Sequence, residues 1–449
     1  MRIQKLQLSE VGPFQGLDLT FPKCGDKEHA EVHIFTGPNG CGKTTLLYAL
    51  AAAFDFDYEL ERRFWLNGTH PHLRAILDHP KSSDESASQG TNQVYLGIPD
   101  EAMRKTVTSE DIMKFQRRNE TNLFRIPVID RFSQLFKHQR RRNSNPEPDT
   151  DWAAFSYAGR YATLPEPYIQ GLEELEIGPL QGALDFQQKP EELLKWIALT
   201  ASKAAIEQSN GNFQQAERFR KPIRQLERAL EIMLEEDVKI KLQTSPFIVA
   251  LLVNGRSLEV GILPDGIKSF LGWLGDLVSR LDRVKWEKPG DILSQNFILF
   301  LDEIAIHMHP SWQRKVLRVV QQLFPNAQIF CSTHSPFVVN SVDNATVHQF
   351  RIQNGLSILV DSTTTSEGVS VDRVLRYTFD IDARFGKTVE DQLDQFSKLR
   401  DDILQGDHGK LDALTALAAS LVETGPEIKQ IVAFEINQLS RILQQDITL

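Results

Sequence analysis

Apolar and polar residues alternate over the first part of the chain, and this alternation predicts a group of short strands. Residues 3–8, 17–21 and 32–35 carry spaced apolar side chains and are bounded by polar residues or glycine. A helical run at Thr44–Leu50 follows the third predicted strand across a glycine-rich turn. The pattern therefore predicts a strand–loop–helix unit near the start of the chain.

The middle of the chain predicts helices followed by a small group of strands. Glu191–Glu236 has helical spacing of its apolar residues, and we expect interruptions near Asn210–Asn212 and again at Pro222. Phe247–Val253 is a continuous apolar run of strand length, and Asn254-Gly255 after it predicts a hairpin turn. This region therefore predicts a helical lobe with a hairpin beside it.

The last third of the chain returns to strands and then ends in helices. Phe297–Leu301 is almost wholly apolar, which is typical of a central strand in a parallel sheet. Trp312–Leu323 predicts an amphipathic helix and Ala327–Ser332 another strand, whereas Val369–Leu449 is helical in pattern. Together the elements predict an α/β protein with a C-terminal helical module.

Composition and charge exclude several classes of protein. The chain has 449 residues, enough for two or three domains, and its net charge of −10 gives no overall attraction to nucleic acid. Lys137–Arg142 is nevertheless a local basic cluster. The cysteines, Cys24, Cys41 and Cys331, are far apart, which argues against a disulfide framework and fits a cytoplasmic location. No apolar run approaches the roughly 18 residues of a membrane span, so we expect no membrane association.

The glycine-rich turn has the spacing of a phosphate-binding loop. Glycine geometry frees backbone amides to point at phosphate oxygens, and we expect Lys43 to reach the β and γ phosphates of ATP. The Thr44 hydroxyl is expected to bind Mg²⁺. The residues expected to bind the nucleotide here are Gly37, Pro38, Asn39, Gly40, Cys41, Gly42, Lys43, Thr44 and Thr45. Cys41 also predicts that alkylation of its thiol blocks ATP binding unless bound nucleotide shields it.

Two further motifs follow predicted strands. Asp302 and Glu303 end the apolar strand, where carboxylates would face ligands at the carboxyl edge of a sheet. We expect Asp302 to hold Mg²⁺ and Glu303 to act as the general base that polarises the attacking water. His334 comes just after the next strand, and we expect it to contact the γ-phosphate.

These motifs, in this order, resemble those of the ABC-type ATPase superfamily, and most closely its SMC-like and OLD-like branch. The resemblance implies a P-loop NTPase head of the α/β class that binds ATP and Mg²⁺ and dimerises around the nucleotide. In that branch the glutamate is followed by a His-Leu-His-Pro segment, and this chain has His307-Met308-His309-Pro310. The resemblance places this segment in a loop that crosses to a second protomer; a metal-binding histidine pair is the alternative.

The superfamily also has a Leu-Ser-Gly-Gly signature at the start of a helix, and this chain departs from it. The best match is Leu263–Ile267, followed by a predicted helix from Lys268 to Leu281. Gly266 matches the signature and Asp265 does not, and both are expected to contact the nucleotide of the partner protomer. Because the serine is missing, we expect slow turnover, with Ser269 as a partial substitute one turn into the helix.

The glutamine that binds Mg²⁺ in this superfamily has no clear counterpart. Gln93, before an apolar stretch, is the candidate metal ligand. Arg160, in the segment Phe155–Tyr161, lies where relatives carry an Ala-Tyr-x-x-x-Arg segment, and two roles stay open for it: binding nucleotide or bracing the lobe.

The chain has neither the long coiled coil of SMC-like proteins nor an evident Toprim nuclease of the OLD type. This combination resembles the ATPase subunit of Septu-type bacterial anti-phage systems. The resemblance implies a homodimer or higher homo-oligomer with a separate HNH-type nuclease, and DNA bound through that partner. Two alternatives remain: a RecF-like repair ATPase acting directly on DNA, and a nucleotide switch with little turnover.

The predicted organisation has four parts. Residues 1–190 form an N-terminal ATPase lobe with the phosphate loop and mobile polar insertions, and residues 191–285 form the helical lobe with the signature. Residues 286–365 complete the ATPase core with the Asp302-Glu303 and His334 motifs. Residues 366–449 form a C-terminal helical interaction module, whose apolar positions cover either the protein's own core or a partner.

Overall fold

A computed structural model describes most of the chain, and its residues form two compact units. The described residues are 1–24, 28–54, 60, 62–65, 71–78, 92–97, 124–126, 149–161, 164–165, 169, 174–244, 247–288, 290–366, 368–381, 385–445 and 447. The first unit is Met1–Val374 and the second is Leu375–Leu449. The basic cluster at Lys137–Arg142 and most of the predicted polar insertions lie outside the described residues.

A six-stranded sheet in the order β14-β13-β3-β12-β11-β7 forms the centre of the first unit. Strands β13, β3, β12, β11 and β7 pair in parallel, and β14 closes the hairpin with β13 antiparallel. Strand β11 lies between β12 and β7 and is buried along its whole length, which explains its apolar sequence. The strands are β3 (Glu31–Thr36), β7 (Ala153–Ala158), β11 (Phe297–Asp302), β12 (Gln328–Ser332), β13 (Thr346–Gln353) and β14 (Leu356–Thr364).

An antiparallel sheet in the order β2-β1-β4-β5-β6 shares its core with the central sheet. Leu6 and Leu19 of this sheet belong to one buried apolar cluster with Leu46 of helix α1 (Lys43–Ala52) and with Phe300 and Phe330 of the central sheet. The predicted α/β head is therefore confirmed. The antiparallel strands are β1 (Arg2–Val11), β2 (Phe14–Thr20), β4 (His72–Asp78), β5 (Asn92–Gly97) and β6 (Phe124–Ile126).

The helical part of the first unit contains three long helices and a small antiparallel sheet. Helices α2 (Leu193–Ser209) and α3 (Phe213–Leu234) are separated at Asn210–Asn212, as predicted. Helix α4 (Asp265–Arg283) starts three residues earlier than its pattern indicated. The sheet has the order β10-β9-β8, with β8 (Val238–Thr244), β9 (Phe247–Val253) and β10 (Arg256–Glu259).

The predicted interruption at Pro222 is wrong, because α3 continues through it. Pro222 is buried together with Ile223, Leu226 and Leu230, which lie on one face of the helix. Burial of each large apolar side chain contributes about 1.5–3 kcal/mol, so this face offsets the roughly 3 kcal/mol that an internal proline costs a helix.

A buried network of hydrogen bonds connects strand β7 to helix α4. The Tyr157 hydroxyl donates to Asp276 Oδ2 at 2.8 Å, and Arg280 Nε donates to the same oxygen at 2.6 Å. Gln188 Nε2 donates to the Ser156 carbonyl at 3.0 Å and its Oε1 accepts from Arg280 at 2.8 Å. Because these groups satisfy one another in the interior, they fix the helix on the edge strand of the central sheet.

Within the described residues, the first unit also contains helices α5 (Pro310–Leu323) and α6 (Pro336–Val339), and helix α7 (Val371–Thr378) begins in it. The second unit contains α8 (Lys387–Leu404), α9 (Leu411–Val422) and α10 (Pro426–Leu443) around an apolar core of its own. Phe396 and Ile403 are buried in that core, whereas Leu404 is 44% exposed. Within the part of the chain that the structure describes, no helix is long and apolar enough to cross a membrane.

Candidate active site

The phosphate loop runs from the end of β3 to the start of α1, and its glycines are required by close contacts. Gly42 has a φ of 95°, and a Cβ there would lie 2.6 Å from the Phe14 ring. A Cβ at Gly37 would lie 2.5 Å from the carbonyl oxygen of Phe350. Neither position has room for a side chain, so both require glycine. The resulting tight turn brings the backbone of the loop close to the first residues of α1.

Lys43 is buried and folded back over the loop. Its Nζ donates to the carbonyl oxygens of Gly37 and Pro38 at 3.0 and 3.2 Å, and lies 3.8 Å from Cys41 Sγ. This places the ammonium group above the loop on the side where α1 begins. A buried cation beside backbone amides at a helix start suits a polyanionic ligand such as a triphosphate.

Asp302 is the last residue of β11, and its carboxylate accepts hydrogen bonds from the hydroxyl groups of Ser332, on β12, and Thr44, on α1. Its Oδ1 accepts from Ser332 at 2.6 Å and from Thr44 at 3.1 Å. The Thr44 hydroxyl and the Asp302 carboxylate are hard oxygen ligands side by side, which is the donor set that Mg²⁺ prefers. These residues therefore fit a magnesium ion held together with phosphate oxygens.

Glu303 has an unusual backbone and an unusual side chain. Its φ is 51°, a left-handed conformation that non-glycine residues rarely adopt, and its amide donates to the Ser332 carbonyl at 3.2 Å. The Oε1 atom is buried and lacks a hydrogen-bond partner within the described structure. Burial, with the nearby negative charge of Asp302, raises the pKa of the Glu303 carboxyl above its ordinary value. Strain and an unsatisfied oxygen in one residue are typical of a functional position.

His334 lies beside Glu303 at the end of β12. Its amide donates to Glu303 Oε2 at 3.3 Å, and its Nε2 is 3.5 Å from Oε1, within ion-pair range but not aligned for a hydrogen bond. Burial, together with the charge of Lys43, lowers the pKa of the His334 imidazole. The ring is therefore neutral at pH 7, and its 43% exposure leaves it open to a ligand.

Arg160, for which the sequence left two roles open, is a sixth member of this group. It follows strand β7, which pairs in parallel with β11, and its Nη2 lies 3.6 Å from Asp302 Oδ2. We refer to Lys43, Thr44, Asp302, Glu303, His334 and Arg160 as the carboxyl-end cluster.

Gln93, the predicted metal ligand, lies in a different sheet from Asp302. It belongs to β5 of the antiparallel sheet, where it pairs with Ile76, and its side chain lies outside what the structure describes. Two parallel strands, β7 and β12, pair with β11 as far as Asp302. The role of Gln93 as a metal ligand therefore stays a prediction, whereas Arg160 lies at the carboxyl-end cluster.

The predicted signature residues form the first turn of α4. Asp265 has a side chain that is 82% exposed and pairs with Lys268 at 3.6 Å. Gly266 is buried against the segment that follows Glu303, since a Cβ there would lie 2.9 Å from the His307 carbonyl. Ser269 is buried as well, and its hydroxyl donates to the Gly159 carbonyl at 3.2 Å. The expectation that Ser269 substitutes for the signature serine is therefore wrong, because its hydroxyl points into the protein.

The site's sequence and geometry agree with comparisons to known proteins. The family described as "AAA domain, putative AbiEii toxin, Type IV TA system" matches residues 32–340, a span that includes the whole phosphate loop, Asp302, Glu303 and His334. The chain belongs to this family.

Two curated relatives of this AAA-domain chain carry names consistent with the ATPase resemblance, which is confirmed. The "Retron Ec83 probable ATPase" of Escherichia coli is 31% identical over 30% of this chain and 24% of its own length. The "Septu protein PtuA" of Bacillus thuringiensis is 20% identical over 45% of this chain and 52% of its own length. The chain thus spans between a quarter and about half of the length of these relatives.

Among solved structures, the SMC head domain from Thermotoga maritima is similar at 15% identity. The alignment covers 80% of this chain and 98% of that chain, with a TM-score of 0.41.

Cys41 does not have the environment of a reactive thiol. Its side chain is fully buried, and burial raises the pKa of the thiol despite the nearby Lys43. Both features oppose alkylation of Cys41, and the block of ATP binding by alkylation stays a prediction.

A second polar cluster lies at the amino ends of strands in the same sheet. Glu31 opens β3, and its Oε1 accepts hydrogen bonds from Arg2, His33 and Gln328 at 2.7, 2.7 and 2.8 Å. Arg2 Nε also donates to Oε2 at 2.7 Å. Hydrogen bonds from His33 and Arg2 outweigh the effect of burial and hold the pKa of the Glu31 carboxyl below its ordinary value.

The same cluster continues through a histidine pair. His33 Nδ1 lies 3.2 Å from His348 Nε2, and both rings are fully buried. Cys24 joins Glu31 and His33 in a group whose ligand atoms lie within 4.8 Å of one another. Because Arg2 already neutralises Glu31, a metal cation there would have to displace a guanidinium, so these residues do not fit a metal site. We refer to Arg2, Glu31, His33, Gln328 and His348 as the amino-end cluster.

Proposed function

We propose that this chain binds ATP with Mg²⁺ at the carboxyl-end cluster and hydrolyses it to ADP and phosphate. The observation that carries the proposal is the convergence of Lys43, Thr44, Asp302 and Glu303 at one edge of the central sheet. Lys43 and the loop amides bind the phosphates, and Thr44 and Asp302 hold Mg²⁺, which neutralises charge on the phosphate oxygens.

Glu303 is the residue with the properties of the base. The raised pKa of its carboxyl brings its basicity toward neutral pH, where a general base is most effective. In hydrolysis the water oxygen bonds to the γ phosphorus, the bond to the β–γ bridging oxygen breaks, and the water proton passes to Glu303. The neutral His334 donates a hydrogen bond to the γ-phosphate and orients it.

The active unit in this proposal is a head-to-tail homodimer or higher homo-oligomer. Support comes from the resemblance to SMC-like and OLD-like ATPases and from the exposed side chain of Asp265 at the start of α4, which is available to another chain. Asp265 and Gly266 would face the nucleotide of the partner protomer. The acidic side chain and the inward direction of Ser269 favour slow turnover, so a nucleotide switch with little hydrolysis is the second candidate.

The biological role in this proposal is anti-phage defence in bacterial cytoplasm. Support comes from the similarity to the proteins named "Septu protein PtuA" and "Retron Ec83 probable ATPase". We propose that the ATPase regulates a separate effector, of the HNH nuclease type, which brings any DNA to the complex. The four-part division at residues 190, 285 and 365 stays part of this proposal, with the helices after residue 365 as the surface for the effector.

The ATPase proposal is tested by separating nucleotide binding from hydrolysis. Lys43→Ala is expected to weaken ATP binding and abolish turnover, whereas Glu303→Gln is expected to keep binding and lose at least about 100-fold in turnover. Equilibrium binding of ATP with Mg²⁺ and release of phosphate are the two measurements. Wild-type turnover no faster than that of Glu303→Gln, with ATP bound by both, would leave the nucleotide switch as the function.

A further inference from the structure

Arg160 lies beside the carboxylate that the proposed function assigns to Mg²⁺. Its Nη2 is 3.6 Å from Asp302 Oδ2, and its guanidinium carbon lies 5.1 Å from the centre of the Tyr161 ring. The Arg160 side chain is 52% exposed, whereas that of Asp302 is only 3% exposed. An exposed, permanently charged group therefore borders a buried anion.

The backbone next to Arg160 is held firmly against β11. The Gly159 amide donates to the Asp302 carbonyl at 3.0 Å, and a Cβ at Gly159 would lie 2.4 Å from the Glu303 carbonyl oxygen. The Gly159 carbonyl in turn accepts from Ser269 of α4. Because the backbone is fixed on both sides, the part of Arg160 that is free to move is its side chain.

The two carboxylate oxygens of Asp302 are held unequally. Oδ1 accepts a short hydrogen bond from Ser332 at 2.6 Å and a second from Thr44 at 3.1 Å. Oδ2 has Thr44 at 3.3 Å and Arg160 at 3.6 Å, both longer contacts. A divalent cation shared by Thr44 and Asp302 would approach Oδ2, where it would meet the guanidinium as a competing positive charge.

We propose that Arg160 is a positioning residue that exchanges with the divalent cation on Asp302, an inference that rests on the proposed ATPase function. In the absence of the cation, the guanidinium neutralises the buried carboxylate. When the cation takes Oδ2, charge repulsion moves the guanidinium off Asp302 and releases it for phosphate oxygens. Cation binding thus determines where a second positive charge lies, and this deepens the proposed function by linking Mg²⁺ to phosphate recognition.

The exchange is tested by binding Mn²⁺ to the full chain without nucleotide, followed by electron paramagnetic resonance. Arg160→Gln is expected to bind Mn²⁺ roughly two- to fivefold more tightly than the wild type, because the competing charge is gone. The same variant is expected to lose about tenfold in ATP turnover, because the released charge is missing at the phosphates. Arg160→Lys, which keeps the charge, is expected to lie between the two.

Arg224→Gln is the matched control, since Arg224 is an exposed arginine paired with one carboxylate, Glu217, on helix α3. It is expected to leave both Mn²⁺ affinity and turnover unchanged. Unchanged or weaker Mn²⁺ binding by Arg160→Gln, in a variant with wild-type circular dichroism, overturns the exchange whatever its effect on turnover. A wild-type protein without ATPase activity would refute the proposed function. Because the Mn²⁺ measurement needs no hydrolysis, it would still test whether Arg160 exchanges with the cation.

Discussion

Glu31 lies at the amino end of β3, and its carboxylate accepts hydrogen bonds from Arg2, His33 and Gln328. Glu303 lies just beyond the carboxyl end of β11, and one of its carboxylate oxygens is buried without a hydrogen-bond partner in the described structure. Both glutamates belong to polar clusters of the same unit. One cluster is closed, with each charge neutralised by a neighbour. The other combines strained backbone, a raised pKa and side chains open to solvent.

This difference indicates that the carboxyl-end cluster, and not the amino-end cluster, binds and reacts with a ligand. A closed buried network stabilises one conformation and leaves no group free for a ligand. A cluster with an unsatisfied base and a loosely paired cation costs stability unless a ligand completes it. We therefore expect changes in the amino-end cluster to alter the free energy of unfolding, and changes in the carboxyl-end cluster to alter turnover.

The largest effect on stability is expected for Glu31→Ala. Removal of the carboxylate leaves Arg2 with an 18% exposed side chain and no counter-ion from Glu31, and we expect a loss of about 3 kcal/mol in the free energy of unfolding. Unfolding in urea, followed by tryptophan fluorescence, measures it. All 6 tryptophans lie in the first unit, so the signal reports that unit alone. An unchanged midpoint would remove the distinction between the clusters.

The next effect is a loss of stability in acid that depends on the buried histidines. Burial, with the neighbouring His33, lowers the pKa of His348 to about 3, whereas the unfolded chain has the ordinary value of about 6.5. The unfolded chain therefore takes up a proton first as the pH falls below about 6.5. We expect the stability contributed by neutral His348 to be complete above that pH and to be lost toward pH 3, at up to about 1.4 kcal/mol per pH unit.

His348→Gln is expected to flatten this dependence between pH 6.5 and pH 4.5, leaving the share that arises from His33, whose pKa burial also lowers. The exposed His408, changed to glutamine, serves as the control and is expected to leave the slope as it is. An equally steep loss in His348→Gln would show that other groups cause the acid sensitivity.

A smaller effect is expected for Ser269→Ala. The variant loses one buried hydrogen bond to the Gly159 carbonyl, which contributes about 1 kcal/mol to the free energy of unfolding. Turnover per folded molecule is expected to stay the same, because the hydroxyl points inward. A large fall in turnover at unchanged stability would instead return Ser269 to the role of a signature serine.

The smallest effect is expected at Cys41. Burial raises the pKa of both thiols, but Cys41 is fully buried and Cys24 is partly exposed, so iodoacetamide at pH 7.5 is expected to modify Cys41 more slowly than Cys24. Peptide mass spectrometry after timed labelling compares the two cysteines. Rapid labelling of Cys41 would show that the loop opens often in solution.

The motifs that depend on neighbouring residues could be predicted from the sequence. Glycine spacing, Lys43 and the apolar strand before Asp302 are local signals, and the fold places them as their pattern indicates. The position of Arg160 could not be predicted in this way, because it lies beside Asp302 through the pairing of β7 with β11 across the sheet.

Two other features depend on contacts between distant residues. His33 and His348 are separated by 315 positions, and only the pairing of β3 with β13 brings their rings together. Ser269 was expected to substitute in part for the missing signature serine. The earlier start of α4, at Asp265, and the packing of its first turn against Gly159 and His307 turn the hydroxyl inward.

The most direct test compares the same substitution in both clusters, Glu303→Gln and Glu31→Gln, by phosphate release at saturating ATP and Mg²⁺. We expect Glu303→Gln to lose at least about 100-fold in turnover with an unchanged unfolding midpoint. Glu31→Gln is expected to keep wild-type turnover per folded molecule and to unfold at lower urea. If Glu303→Gln keeps wild-type turnover, or if Glu31→Gln alone abolishes it, then the carboxyl-end cluster is not the site of ATP hydrolysis.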